Sequence, residues 1–227
     1  MFTLVNLGRS DWLRDGQHYA IPQYAQDMVA LLARLDVEQV DWLGTSMGGM
    51  IGMALAAQPG SPIRKLILND VGPTIAAAAL RRIGDYLAAP PDFASPAQAE
   101  AYIRSIAPFG DLSDAQWRHL TEHVIRSDAG RYRLRYDPAI AASFLAAAAV
   151  QGEGKDIDLW PLYDAIRCPT LVMRGEHSDL LARETVAAMA TRGPRARGVE
   201  IPGVGHAPML LDAAQAAIVR AFLRDGE

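Results

Sequence analysis

The segment Gly44-Thr45-Ser46-Met47-Gly48, followed by Gly49, sets a serine between glycines at G-x-S-x-G spacing. A serine hydroxyl is a poor nucleophile until a base takes its proton and an acid orients that base. The spacing carries meaning where an apolar strand ends and a helix begins, because the turn is then so sharp that small residues must flank the serine. Here Gln39–Gly44 reads as the strand and Met47–Ala57 as the helix. Such a turn raises the Ser46 hydroxyl above the sheet. It also leaves the Met47 N–H at a helix N-terminus, where it can meet an oxyanion. Ser46 is therefore the candidate nucleophile and Met47 the candidate oxyanion and substrate-binding contact.

Five histidines could supply the base. His206 lies in Gly203-Val204-Gly205-His206-Ala207-Pro208, a glycine-rich loop between the last strand and the last helix. Loops at the carboxyl ends of strands present their residues at the mouth of an α/β sheet, so His206 is the candidate base. For the acid, Gly175-Glu176-His177-Ser178-Asp179 follows a strand at the same end of the sheet. Asp179 is the first choice, Asp70 at the end of Ile63–Asn69 is its rival, and Glu176 comes third. His119 and His123 stand four apart, but their Glu122 precedes the second histidine, so the H-E-x-x-H zinc pattern fails. His18 and His177 carry no assigned role.

The remaining motifs read as structure. Arg131, Arg133 and Arg135 alternate with apolar residues, which predicts a short strand with a solvated basic face. Gly152-Glu153-Gly154-Lys155-Asp156 lacks the spacing and the Ser/Thr of a phosphate-binding loop. Cys168 is the single cysteine, which rules out an intrachain disulfide and a cysteine metal cluster. No cofactor and no metal are expected. A net charge of −4 gives no electrostatic case for nucleic acid or an anionic membrane. The longest apolar run, Ile140–Val150, is about half of a bilayer crossing, so a soluble cytoplasmic protein is expected.

The elements that would hold these residues alternate strand and helix. Gln39–Gly44, Ile63–Asn69, Pro169–Arg174 and Arg197–Ile201 are short and aliphatic. Gln23–Leu35, Met47–Ala57 and Met209–Arg224 have helical apolar spacing. Nearly continuous aliphatic strands between helices indicate an α/β fold with a mostly parallel sheet covered on both faces. From residue 74 to 157 the pattern changes to alanine-rich helices: Ile75–Ala89, Ala97–Ile106, Asp114–Arg126 and Ala139–Val150. This predicts a helical cap, 74–157, inserted into a core formed by 1–73 and 158–227.

Taken together, these residues resemble the α/β-hydrolase family, in particular its capped esterases and carbon–carbon bond hydrolases. Gly8-Arg9-Ser10-Asp11 is similar to the loop after the family's fourth strand. GTSMGG resembles the nucleophile elbow, LILNDVGP the strand entering the cap, CPTLVMRGEHSDLL the acid strand, and GVGHAP the histidine loop. The resemblance implies a Ser46–Asp179–His206 triad in the family's chain order, with an oxyanion held in part by Met47 N–H. It also implies hydrolysis of carboxylic esters with apolar acyl or aryl groups through an acyl-enzyme. Carbon–carbon bond hydrolysis, lactone opening or catalytically weak ligand binding are its alternatives. Family members carry further N-terminal strands and a His-Gly oxyanion loop, and no His-Gly dipeptide occurs in this sequence. That departure predicts an uncovered edge on the strand bearing Trp42, to be covered by Phe2–Asn6 or by a homodimer.

Overall fold

The computed structural model describes residues 7–150 and 155–225, the side chains of 147–150 excepted. Helix α1 (Ile21–Leu32) leads into strand β1 (Val40–Thr45), helix α2 (Met47–Ala56) and strand β2 (Ile63–Asn69). After the inserted segment come α7 (Trp160–Ala165), β7 (Thr170–Gly175), α8 (Arg183–Met189), β8 (Arg197–Ile201) and α9 (Ala213–Arg224). The four strands form one parallel sheet in the order β1-β2-β7-β8. The two central strands, β2 and β7, are buried almost throughout, as expected for strands covered on both faces. All four strands matched the aliphatic runs of the sequence to within about a residue, the uncertainty of any element boundary. The short helices α7 and α8 escaped the sequence analysis, being too brief to show a helical period.

One face of the sheet packs on α2, whose Ile51, Met53 and Leu55 are buried with Leu66, Leu68 and Val172. The other packs on α9, through Ile67, Leu171, Met173 and Phe222. Lys65, buried on that side, fastens the layer. Its ammonium donates to the Phe222, Leu223 and Asp225 carbonyls at 3.2, 2.7 and 2.7 Å, at the carbonyl-rich end of α9. The free edge of β1 has no strand beside it among the described residues, and Leu43 there is 39% exposed. The stretch Phe2–Asn6, a candidate cover for that edge, lies outside the described residues.

The inserted segment opens and closes on a two-stranded neck, β3 (Thr74–Ile75) paired antiparallel with β6 (Ile157–Asp158). Between them lie α3 (Ala77–Ala88), α4 (Pro96–Ile106), α5 (Asp114–Val124), the hairpin β4 (Ile125–Asp128) and β5 (Arg131–Leu134), and α6 (Ile140–Val150). Part of it has a core of its own, built from Phe93, Ala99, Ile103, Trp117 and Ile125. Helix α5 starts with a reciprocal capping box between Ser113 and Gln116. The segment holds the helices α3 to α6, and the short strand expected of the arginine-rich alternation is β5, paired with β4 in a hairpin.

Candidate active site

The site grows from the turn between β1 and α2. Ser46 has φ +51°, a left-handed conformation unusual for a residue with a side chain. Gly44 makes the turn possible: a Cβ there would lie 2.2 Å from the Gly48 carbonyl oxygen and 2.5 Å from the Gly49 nitrogen. The indole N–H of Trp42 ties the same carbonyl down at 3.0 Å. A serine at a helix start ordinarily caps its own helix. The Ser46 side chain makes no such bond, and its Oγ instead meets His206 Nε2 at 3.0 Å. Met47 is the first residue of α2, so its N–H has no intrahelical acceptor and points out with the positive end of the helix dipole.

His206 arrives on the loop after β8, and that loop lies directly across the end of β7. A Cβ on Gly175 would come within 2.4 Å of the Gly205 carbonyl oxygen, so only glycine lets the two chains approach so closely. His177 N–H donates to the Val204 carbonyl at 2.8 Å, and the Asn69 side-chain amide to the Pro208 carbonyl at 2.8 Å. From the inserted segment, the Pro108 carbonyl accepts the Gly205 N–H at 2.7 Å. The His206 side chain is 14% exposed, enough to meet a ligand at one edge of its ring.

The other ring nitrogen, Nδ1, lies 2.7 Å from Asp70 Oδ2. This corrects the expectation for the acid: Asp70, not Asp179, is the carboxylate at His206. The reason is the order of strands. β2 and β7 are neighbours in parallel register, so their carboxyl ends emerge side by side. Asp70 continues β2 by one residue, donating its N–H to the Met173 carbonyl at 2.7 Å. There its φ of +56° sends the chain off the sheet with the side chain directed at the end of β7. The carboxylate is fully buried, with Oδ1 accepting the Gly175 N–H at 2.8 Å and Oδ2 the Ser178 hydroxyl at 2.7 Å.

Asp179 is next in sequence to Ser178, but it faces outward. Its side chain is 51% exposed and pairs with Arg82 of α3 at 2.7 Å. Glu176 is engaged elsewhere too: Gly203 N–H donates to it, which with the nearby His177 and arginine charges holds its carboxyl below the ordinary glutamate range. Ser178 was missed by the sequence analysis, because a serine beside a plausible acid carries no signal of its own.

The other candidates form no centre. His119 and His123 are exposed on α5, with His123 Nδ1 2.7 Å from the His119 carbonyl, and no metal-holding group of side chains occurs among the described residues. Arg133 is paired with Asp92 and Asp128, and Arg135 bonds the Ile125 carbonyl. Burial pushes the half-buried Cys168 thiol above its usual range, and the side chain packs against the main core. No helix among the described residues is long and apolar enough to cross a membrane.

Beside the elbow lies a cavity of about 990 Å³. Met47, Met50 and Ala54, at helical spacing, put one face of α2 along its wall, with Gln58 just beyond the helix end, while Leu80 and Phe144 reach it from the inserted segment. Of the site residues Met47 lines this cavity, while Ser46, His206 and Asp70 are not among its lining residues. Apolar side chains dominate its lining. A second cavity of about 800 Å³, beside Arg81, Arg82 and Asp85, contains none of the site residues.

Chemically, the chain Ser46 Oγ, His206 Nε2, His206 Nδ1, Asp70 Oδ2 is a continuous path of hydrogen bonds. It allows a hydroxyl proton to pass to an imidazole whose far nitrogen is held by a carboxylate. Comparison with known proteins adds to this. A family model described as "Alpha/beta hydrolase family" matches residues 2–221. A curated relative, the 3-hydroxybutyrate-oligomer hydrolase of Cupriavidus necator, is 48% identical over 220 residues, which is 95% of this chain and 75% of that protein. A solved structure from Rickettsia typhi is 31% identical with a TM-score of 0.89, covering 98% of this chain and 75% of that one. A second, from Novosphingobium aromaticivorans, is 33% identical with a TM-score of 0.84, covering 97% and 78%. The chain thus spans about three quarters of the length of each.

Proposed function

This chain belongs to the alpha/beta hydrolase family, and from that premise we propose that it hydrolyses carboxylic esters with Ser46 as nucleophile, His206 as base and Asp70 as the acid that orients it. One observation carries the reading: the unbroken hydrogen-bonded run from Ser46 Oγ through His206 to buried Asp70. Ser46 attacks the ester carbonyl carbon while His206 Nε2 takes the hydroxyl proton. The negative charge that develops on the carbonyl oxygen faces the Met47 N–H. As the tetrahedral adduct collapses, the imidazolium returns its proton to the departing alkoxide and an alcohol leaves. Water then attacks the acyl group on Ser46, giving its proton to Nε2. The carboxylic acid departs as Ser46 regains its hydrogen. Through both halves Asp70 keeps the Nδ1 proton in place and balances the imidazolium charge.

The cavity beside Met47 supports a substrate class. Apolar walls along α2 favour an acyl chain of low polarity over a charged one. The name of the Cupriavidus necator relative points the same way, toward short oligomers of a hydroxy acid, whose repeating unit is itself an ester. In this reading the inserted segment, 74–157, acts as a cap that closes one side of the cleft through Leu80 and Phe144.

The test is the Ser46→Ala variant, assayed on p-nitrophenyl butyrate and on 3-hydroxybutyrate trimer. Turnover should fall by roughly 10⁶, as removal of a triad serine does elsewhere, with the thermal melting curve unchanged. A folded alanine variant that keeps more than a few per cent of the wild-type rate refutes the assignment.

A further inference from the structure

We propose that Ser178 is a positioning residue for this hydrolysis, fixing the Asp70 carboxylate in the one orientation that serves His206. The proposal rests on the reading of Ser46, His206 and Asp70 given above. Its basis is an inventory of one hydroxyl. Ser178 Oγ has a single hydrogen and two lone pairs. It accepts the N–H groups of Leu180 at 3.3 Å and Leu181 at 3.1 Å. With both acceptor positions occupied, its hydrogen has one direction left, toward Asp70 Oδ2 at 2.7 Å. The rotor is therefore set by the backbone of its own loop.

That loop is itself held. Arg174, buried at the end of β7, donates to the carbonyls of Glu176, Ser178 and Leu181, and Ser178 N–H donates to the Gly175 carbonyl. The consequence for Asp70 is a carboxylate gripped at both oxygens, Oδ1 by Gly175 N–H and Oδ2 by the Ser178 hydroxyl. Rotation about its last side-chain bond would break both contacts. Without Ser178 the fully buried Asp70 carboxylate would have one hydrogen-bond donor fewer, and charge-assisted bonds are the strong ones. Holding Oδ2 in place aims its remaining lone pair at His206 Nδ1, which in turn keeps Nε2 unprotonated and directed at Ser46. Ser178 thus works through Asp70 without touching substrate.

The experiment is a kinetic cycle over residues 70 and 178 with p-nitrophenyl butyrate, rates being expressed per active site titrated with a phosphonate ester. Ser178→Ala should lower kcat by about 10- to 100-fold, the range for losing a hydrogen bond to a charged group, with KM within about twofold. Ser178→Thr, which keeps the hydroxyl, should restore kcat to within about threefold, while Ser178→Val, of the same shape, should not. In an Asp70→Asn background, Ser178→Ala should change kcat by less than about twofold, because there is no carboxylate left to orient. A Ser178→Ala kcat within twofold of wild type overturns the proposal. So does a loss of equal size in the Asp70→Asn background, or a valine variant as active as the threonine one. If the alanine variant does not fold, the threonine and valine variants decide alone. An Asp70→Asn variant with wild-type activity would instead overturn the reading of Asp70, so the two failures are told apart.

Discussion

Replacing Asp70 by asparagine changes one atom of a fully buried group, and the surrounding hydrogen bonds dictate how the new side chain must sit. The Gly175 N–H at 2.8 Å demands an acceptor, so the amide oxygen takes the place of Oδ1. The amide nitrogen then falls where Oδ2 stood, against His206 Nδ1 and the Ser178 hydroxyl. An N–H donor at that point forces Nδ1 to accept, and the ring proton moves to Nε2. His206 then meets Ser46 Oγ with a hydrogen instead of a lone pair, and the base is gone. Flipping the amide does not help, since its nitrogen would then confront the Gly175 N–H. In a well-studied triad this change of tautomer lowers kcat by about 10⁴, equivalent to roughly 5 kcal/mol at 25 °C. We expect the same order here. The matching change Asp179→Asn breaks only an exposed pair with Arg82 and should leave kcat within about threefold. The assay is steady-state release of p-nitrophenol from p-nitrophenyl butyrate at neutral pH, with circular dichroism to confirm that both variants are folded. If Asp70→Asn keeps more than about 1% of kcat, or if Asp179→Asn loses as much as Asp70→Asn, the argument from hydrogen-bond direction is wrong.

Two further outcomes probe the turn and the fold. Gly44→Ala places a methyl 2.2 Å from the Gly48 carbonyl oxygen, backbone that cannot yield without undoing the elbow, whereas a methyl at Gly48 meets nothing within 4 Å. Thermal denaturation should therefore show Gly44→Ala destabilised by about 3 kcal/mol or more and Gly48→Ala close to wild type; similar melting of the two variants would contradict the geometry. Burial, helped by the bond to Asp137, pushes the Tyr19 hydroxyl up to about 12, and burial, helped by the nearby Asp164 charge and opposed by the hydrogen bond from the Ala196 N–H, drives Tyr163 up to about 12 as well. Both ionise near pH 10 in the unfolded chain, so the stability they contribute is intact below about pH 10 and is lost as the pH rises toward 12. Tyr19→Phe should make that alkaline decline in urea-unfolding stability shallower, and an unchanged slope would remove Tyr19 from the account.

Much of this molecule is written locally. Ser46 is legible because the constraints on a strand-to-helix turn act over five consecutive residues, Gly44 to Gly48, and leave a mark in composition. The four sheet strands and the longer helices are legible for a similar reason, since periodicity and β-branched content report burial within one element. His206 could be singled out because its glycine-rich loop sits between a clear strand and a clear helix. Which carboxylate meets His206 was not legible. Asp70 and Asp179 both end or follow a strand, both are near the right end of the sheet, and nothing in either neighbourhood says which one turns inward. That choice depends on β2 lying beside β7 with their ends level, on the left-handed backbone at Asp70, and on a tight loop that turns Ser178 in and Asp179 out. Adjacent residues in a turn point in different directions, so one residue of register decides between a buried carboxylate at the histidine and an exposed one paired with Arg82. The sequence alone determined the serine turn, the histidine loop and the layered fold, since each rests on contacts between near neighbours in the chain. Only the tertiary structure decided which carboxylate faces His206, because Asp70 is held by hydrogen-bond donors that reach it from a strand about a hundred residues away, and no local pattern records their approach.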